Sequence, residues 1–519
     1  MSGPRAAAAS RGRAAILRAR ADAARARLAP VLARHWLAAA LLLAGLALRV
    51  LAQIGYQPAL FYIDTARYLT NAEGMDPVGY EGPLRVILLA GGFSAVVAVQ
   101  HLLGLAMAVV IYLLLLRRGA GRWLAALAMA PVLLDAYQLQ TEQSIMPGTW
   151  FEALVVAGLA ILLWRPGASW RRAVAAGLVL GASATVAQIG EALVLPGVIY
   201  LLAVGGGWRR AAGRAAALAG AFAVPILVYC TISYAVTGNF FLSHTGVTSM
   251  YGRMAAAADC STLRLPASER GMCPTRAQQA RGPDWLEYST SSPVWPYYHR
   301  MHLTRDQTDR LISDFNHRVL AQQPLRVAAA YGRDLLKLFA VTRTTGPGDT
   351  PISRWQFQTT FPYFPPWSSR QVVGQEIARF GGSAPAVNRP VAAFLRAYQL
   401  RGGYTPGPLL VIFTLAGLAG SVAGLRRRAS PAIRPPAQAC LLLFTSAAAI
   451  LLVSDLFEFS WRYQLPALVT LVPAGALGLA LAWSVLSRRP WRGAPRADDR
   501  IPGTERRPAP QPAAPGGAQ

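Results

Sequence analysis

WLAAALLLAGLALRVLAQIGYQPALFYIDTARY, residues 36–68, decides the fold. Its first part, about 36–53, is an apolar run of the length that crosses a bilayer. Only a few residues later, FYIDTARY (61–68) sets an acid among aromatic rings and beside Arg67. Asp64 is therefore expected just beyond the membrane, on the side opposite the basic N-terminus. A carboxylate at the water–lipid boundary can take a proton from an acceptor hydroxyl. The same aspartate can cap a helix that begins at Thr65, and the two roles are compatible.

The rest of the chain repeats this alternation. The 519 residues have a mean hydropathy of +0.33, and 14% are charged, where a soluble chain carries about a quarter. A polytopic α-helical membrane protein follows, with ten spans expected at about 36–53, 95–116, 123–138, 149–164, 173–188, 192–205, 215–236, 405–424, 437–454 and 464–486. The apolar stretch 86–116 is too long for one span, so a short interfacial helix is expected before the second. The net charge of +27 is not a nucleic-acid signature. Its arginines cluster in the tails and in alternate short turns, RRGAGR (117–122), WRPGASWRR (164–172), GWRRAAGR (207–214) and RRRASPAIRPP (426–436), as the positive-inside rule requires. With Lys337 as the single lysine and abundant Ala, Gly and Pro, the arginine excess reads as the codon bias of a GC-rich bacterial genome.

Five regions result. Residues 1–35 are a basic cytoplasmic segment, 36–236 hold spans 1–7, 237–404 form an extracytoplasmic, mainly helical soluble domain, 405–486 hold spans 8–10, and 487–519 are a disordered cytoplasmic tail. Within the soluble region, 305–322 and 326–341 have helical periodicity. Cys260 and Cys273 are expected to form a disulfide in an oxidising compartment. Cys230 and Cys440 fall in spans as small apolar fillers.

The polar groups gather on the side opposite the arginine-rich turns: Asp64 and Arg67, then Glu73, Asp76 and Glu81, Asp135 and Glu142, Glu191, and Glu458 with Arg462. Ionisable groups at the edge of a bundle are costly and often functional. Arg462 stands on the outer side of a chain that keeps most of its loop arginines inside, and a phosphate at headgroup level explains it, because guanidinium binds phosphate oxygens bidentately. Gln100 and His101 inside span 2 read as a satisfied buried pair. His299 and His302 have no acid or cysteine nearby to complete a metal set, so no metal and no cofactor are expected. There is no P-loop, no GxGxxG opening a helix and no GxSxG.

FYIDTARYLTNA (61–72), DAYQLQTEQSIM (135–146) and RYQLPAL (462–468) resemble, in order and sidedness, the GT-C superfamily of membrane glycosyltransferases. The similarity is to actinobacterial lipid-carrier-dependent members, akin to protein mannosyltransferases and the aminoarabinose transferase. Where such relatives tend to read an acid–His pair and then Ser-Asp, this chain has Gln143 after Glu142, and Pro147-Gly148 in place of a second acid. The resemblance implies a polyprenyl-phosphate-linked sugar as donor, an envelope glycan, lipid or protein as acceptor, and inversion by direct displacement. It implies Asp64 as general base and Arg462 as ligand of the carrier phosphate, with Arg67, Glu142 and Tyr463 around the donor. With one sugar between base and phosphate ligand, Asp64 and Arg462 should end about 10 Å apart. Two other readings stand beside it: a transporter or lipid flippase, which places charged groups and broken helices at the bilayer midplane, and a non-catalytic protein that binds wall polymer through Trp285, Trp295, Tyr297, Tyr298, Trp355 and Trp367.

This topology has a direct test. Single cysteines at 300–320 should react with an impermeant reagent added outside intact cells, and those at 426–436 should not; the reverse pattern inverts the protein.

Overall fold

The computed structural model describes residues 29–70, 78–204, 206–243, 245–299, 302–425 and 432–487. The basic segment 1–28, the acids Glu73 and Asp76, the turn 426–431 and the tail 488–519 lie outside the described residues.

Each expected span coincides with a helix. They are α1 (Trp36–Gly55), α3 (Glu81–Arg117), α4 (Arg122–Leu134), α6 (Gly148–Leu163), α7 (Trp170–Val186), α8 (Val194–Val204), α9 (Trp208–Thr237), α16 (Gly407–Leu425), α17 (Arg434–Phe457) and α18 (Pro466–Leu486). Two short helices, α2 (Thr65–Thr70) and α5 (Ala136–Gln143), lie between them. Six are long and apolar enough to cross a membrane: α1, α3, α9, α16, α17 and α18 with the turn before it. The other four have 13, 16, 17 and 11 residues, short of the roughly 20 that a lone span needs.

The interfacial helix expected before span 2 is joined to it as one bent helix. α3 breaks at Gly92, where φ is +68° and ψ is −167°, a conformation that glycine alone adopts without strain. The arginine-rich turns 117–122 and 164–172 meet at the end of the bundle away from this bend, where Arg118 Nε donates to the Leu163 carbonyl at 2.8 Å.

The expected soluble domain is two structures. The first comprises α10 (Thr245–Ala257), α11 (Gly282–Tyr288), α12 (Arg305–Gln322) and α13 (Pro324–Lys337). It has its own core of Tyr251, Met254, Met272, Leu286, Ile312, Phe315 and Val319. α12 starts at a capping box in which the Thr304 hydroxyl accepts from Gln307 N and the Gln307 side chain accepts from Thr304 N. Cys260 and Cys273 are bonded, with Cα atoms 5.9 Å apart.

The second part belongs to the membrane bundle. It contains α14 (Arg370–Phe380), β2 (Ala386–Val387) and α15 (Arg389–Leu400). Ile352, Trp355, Val373 and Ile377 pack into the main core, while Phe357, Ala392 and Leu395 pack on Leu48, Ala52 and Tyr56 at the end of α1. β1 (Tyr56–Gln57) pairs antiparallel with β2, Tyr56 opposite Val387. Residues 338–404 are therefore a cover on the bundle, because their apolar side chains have no other core to enter.

The Cys260–Cys273 link spans 13 residues, and closing a loop of that size stabilises by about 3 kcal/mol in the chain-entropy model. Reduction, or the Cys260→Ala/Cys273→Ala pair, should make residues 245–337 more sensitive to limited proteolysis and leave the bundle resistant.

Candidate active site

Asp64 is held by the backbone on both sides. Leu60 N donates to the Gln143 carbonyl and Ile145 N to the Leu60 carbonyl, both at 3.0 Å. The Thr65 hydroxyl accepts from Tyr62 N at 2.8 Å and donates to the Ile145 carbonyl at 3.0 Å. Rings anchor the same stretch, with Phe61 on Phe93 at 5.0 Å and Tyr62 on Trp355 at 4.2 Å. α2 starts at Thr65, as the capping reading requires, but the carboxylate turns elsewhere. One oxygen accepts from Arg67 Nη2 at 2.6 Å, and the other lies 3.5 Å from Arg462 Nη1.

Arg462 comes from a 3₁₀ turn, Trp461–Gln464, between α17 and α18. Trp461 Nε1 donates to the Thr344 carbonyl at 3.0 Å and Gln464 Nε2 to Asp455 at 2.9 Å, so the turn is fixed at both ends. The guanidinium lies over the rings of Tyr463, Trp355 and Tyr62, at 4.8, 4.9 and 5.7 Å, an arrangement in which ring faces attract the cation. Its Nη2 donates to the Tyr463 hydroxyl at 2.9 Å. Asp64, Arg67, Arg462 and Tyr463 thus form one partly exposed cluster. Asp64 and Arg462 are in contact, nearer than the separation of about 10 Å that an interposed sugar requires.

Glu458 apart, the rim of this cluster was not legible in the sequence. Arg354, next to Trp355, pairs with Asp284 of α11 at 3.3 Å. Thr350 donates to Glu458 at 3.3 Å, and the Ser249 hydroxyl donates to Glu287. Burial raises the carboxyl of Asp284, and the Arg354 guanidinium offsets part of that. Burial pushes Glu287 and Glu458 up to about 8, each with help from neighbouring acids. Trp355 Nε1 is buried without a hydrogen-bond partner. Among the described residues no group of three His, Cys, Asp or Glu is arranged to hold a metal ion.

Glu142 does not join this cluster. Its segment, expected as an exposed loop, is the fully buried helix α5. Glu142 Oε1 accepts from Arg49 Nη2 at 2.7 Å and Oε2 lies 3.1 Å from His101 Nδ1. His101 Nε2 is 2.9 Å from Gln143 Oε1, and Gln100 Nε2 donates to the Glu142 and Ser144 carbonyls at 2.8 and 2.7 Å. A Cβ on Gly104 would collide with Glu142 and Arg49, so the space for the ion pair exists because that residue is glycine. Asp135 likewise points inward, accepting from Arg343 Nη2 at 2.9 Å and from Thr405 N at 2.8 Å.

The chain matches no family profile and no curated protein. Among solved structures it is similar to the S. cerevisiae protein O-mannosyltransferase Pmt1-Pmt2 complex bound to the sugar donor, with 15% identity and a TM-score of 0.32 over 42% of this chain and 36% of that one. It is also similar to the archaeal oligosaccharyltransferase AglB from Archaeoglobus fulgidus in complex with an inhibitory peptide and a dolichol-phosphate, with 13% identity and a TM-score of 0.41 over 88% and 51%. The apo form of the Archaeoglobus fulgidus oligosaccharyltransferase gives 14% identity and 0.42 over 88% and 52%. The chain thus spans about half, or less, of these chains.

Replacing Glu142 with Gln leaves Arg49, whose side chain is 2% exposed, without a counter-charge. Breaking one side of a buried pair costs about 3–5 kcal/mol. Glu142→Gln should lower the thermal stability of the purified protein sharply, and adding Arg49→Gln should recover much of the loss.

Proposed function

We propose that this chain is a GT-C-type glycosyltransferase of the cytoplasmic membrane. In this reading it has ten spans and cytoplasmic termini, and it moves a sugar from a polyprenyl-phosphate carrier to an envelope acceptor on the extracytoplasmic face. One observation carries the reading: Asp64 and Arg462, 398 residues apart in sequence, meet at one partly exposed site, ringed by aromatic side chains and a second arginine. A base beside two guanidinium groups at the edge of a membrane bundle suits a reaction whose leaving group is a lipid phosphate.

The chemistry is an in-line displacement. Asp64 takes the proton of the acceptor hydroxyl, and that oxygen bonds to the anomeric carbon as the bond from this carbon to the phosphate oxygen breaks. The electron pair leaves with the phosphate, whose charge Arg462 and Arg67 balance. In the ground state the arginines pair with Asp64 itself. Donor phosphate takes over Arg462, the two side chains part to admit the sugar, and Asp64 is left to face the acceptor. The ring faces of Tyr62, Trp355 and Tyr463 offer a stacking surface for the sugar.

A transporter reading draws on the charged groups inside the bundle, Arg49, His101, Glu142 and Glu152. They are 0–7% exposed and bonded to one another or to neighbouring amides, which favours a structural role for them.

Purified protein in vesicles, supplied with polyprenyl-phosphate sugars and envelope acceptor fractions, provides the assay. Asp64→Asn should reduce turnover about 10²–10⁴-fold while the protein stays folded, and Arg462→Ala should chiefly raise the donor KM. Full activity in Asp64→Asn would rule out this mechanism.

A further inference from the structure

α13 places an apolar face where the loop structure gives it nothing to cover. Leu325, Ala328, Ala329, Gly332 and Leu336 recur at i, i+3, i+4, i+7 and i+11, so they share one side of the helix. Leu325 is 83% and Leu336 68% exposed. The opposite side is buried: Val327 enters the small core, and Asp334 pairs with Arg253 at 2.6 Å and Lys337 at 2.7 Å. Arg326 and Arg333 flank the exposed face, Arg326 pairing with Asp259 at 3.6 Å.

The position of α13 along the bundle supplies the missing occupant. The Tyr331 hydroxyl donates to the Leu452 carbonyl of α17 at 2.6 Å, and Arg253 donates to the Asp455 carbonyl of the same helix at 2.9 Å. α17 has 24 residues, so Leu452 lies about 10 Å from its midpoint at about 1.5 Å per residue. That is within the roughly 15 Å half-thickness of a bilayer's hydrocarbon. Leu452 itself is 44% exposed. With α17 crossing the bilayer as in the proposed function, a helix tied to it at this depth lies beside lipid rather than bulk water.

We infer that α13 is an interfacial helix, its face from Leu325 to Leu336 seated in the lipid leaflet on the Asp64 side and Arg333 reaching the headgroup phosphates. This is the chemistry of amphipathic helices that lie in the plane of a membrane surface. The seat ties the small helical structure to the bilayer and so fixes α11, with Asp284 and Glu287, at a set height above the cluster.

Single cysteines at Leu325, Ala329 and Leu336, labelled with an environment-sensitive fluorophore in the full chain, test this in vesicles of phosphatidylcholine and phosphatidylglycerol. Asp306 serves as reference: it is exposed at the start of α12, an 18-residue helix that sets it about 24 Å from the corner with α13. The three α13 labels should emit to the blue of the reference. They should be quenched several-fold more by nitroxide placed high on the acyl chain than by iodide, and label 306 should show the opposite preference. Equal iodide quenching at 325, 336 and 306 would overturn the inference. So would protection of 325 and 336 from both quenchers with cysteine cross-links between copies at 325, since protein would then cover the face.

Discussion

The buried Arg49–Glu142 pair is the constraint on which the rest of the site depends. Removing two charges from water costs several kcal/mol per ion, and their attraction offsets this only when the remaining donors and acceptors are also satisfied. Here both terminal nitrogens of Arg49 also donate to the carbonyls of Gly45, Val132 and Leu133, leaving only its Nε without a partner among the described residues, and Glu142 also meets His101. α1, α3, α4 and α5 are thereby fixed to one another around a single carboxylate. The next residues along, Gln143 to Ile145, are the ones whose carbonyls and amides hold Leu60 and Thr65. The position of Asp64 is inherited from an ion pair that is itself buried away from the cluster.

That chain of dependence separates two kinds of polar residue in the bundle. Asp135 and Glu142 are buried, each with its arginine at under 3 Å, and their geometry is closed. Asp64 shares its carboxylate between Arg67 at 2.6 Å and Arg462 at the looser 3.5 Å, with side chains 17–19% exposed. A contact at 3.5 Å holds less firmly than one at 2.6 Å, so in the proposed mechanism the Arg462 contact is the one that an incoming anion displaces.

The apolar helices were legible because the bilayer demands long apolar runs, although six of the ten are long enough to cross it alone, and the break in α3 was legible because its run was too long for one crossing. Asp64 and Arg462 were legible because each breaks a pattern, an acid among rings and an outer-loop arginine on a chain that keeps most loop arginines inside. Glu142 was misplaced because DAYQLQTEQSIM has no apolar run and so reads as a loop. Its burial depends on Arg49 and His101, which come from other helices, and the one local sign was an arginine inside the otherwise apolar 36–55. Asp284 and Arg354 carried no sign at all, since a polar pair in a polar region is ordinary until the fold brings it beside Arg462. The division of 237–404 was hidden for a related reason: composition separates membrane from water, but it does not say which polar-rich segments pack on a bundle's end.

The acids on the rim decide the sign of the field at the cluster. Arg67, Arg462 and Arg354 bring three positive charges, against which stand Asp64 and Asp284 and the carboxyls of Glu287 and Glu458. With those two pushed up to about 8, both are mostly protonated near neutral pH, and the cations outnumber the anions. Were they ordinary glutamates with pKa about 4.3, the balance would reverse and a phosphate would be repelled. In the proposed function, the desolvation of Glu287 in the small helical structure and of Glu458 beside Thr350 therefore favours the donor phosphate without either group touching it. It also makes the position of α11 matter, because the Asp284–Arg354 pair ties α11 to the turn that carries Trp355, and the desolvation of Glu287 depends on that packing.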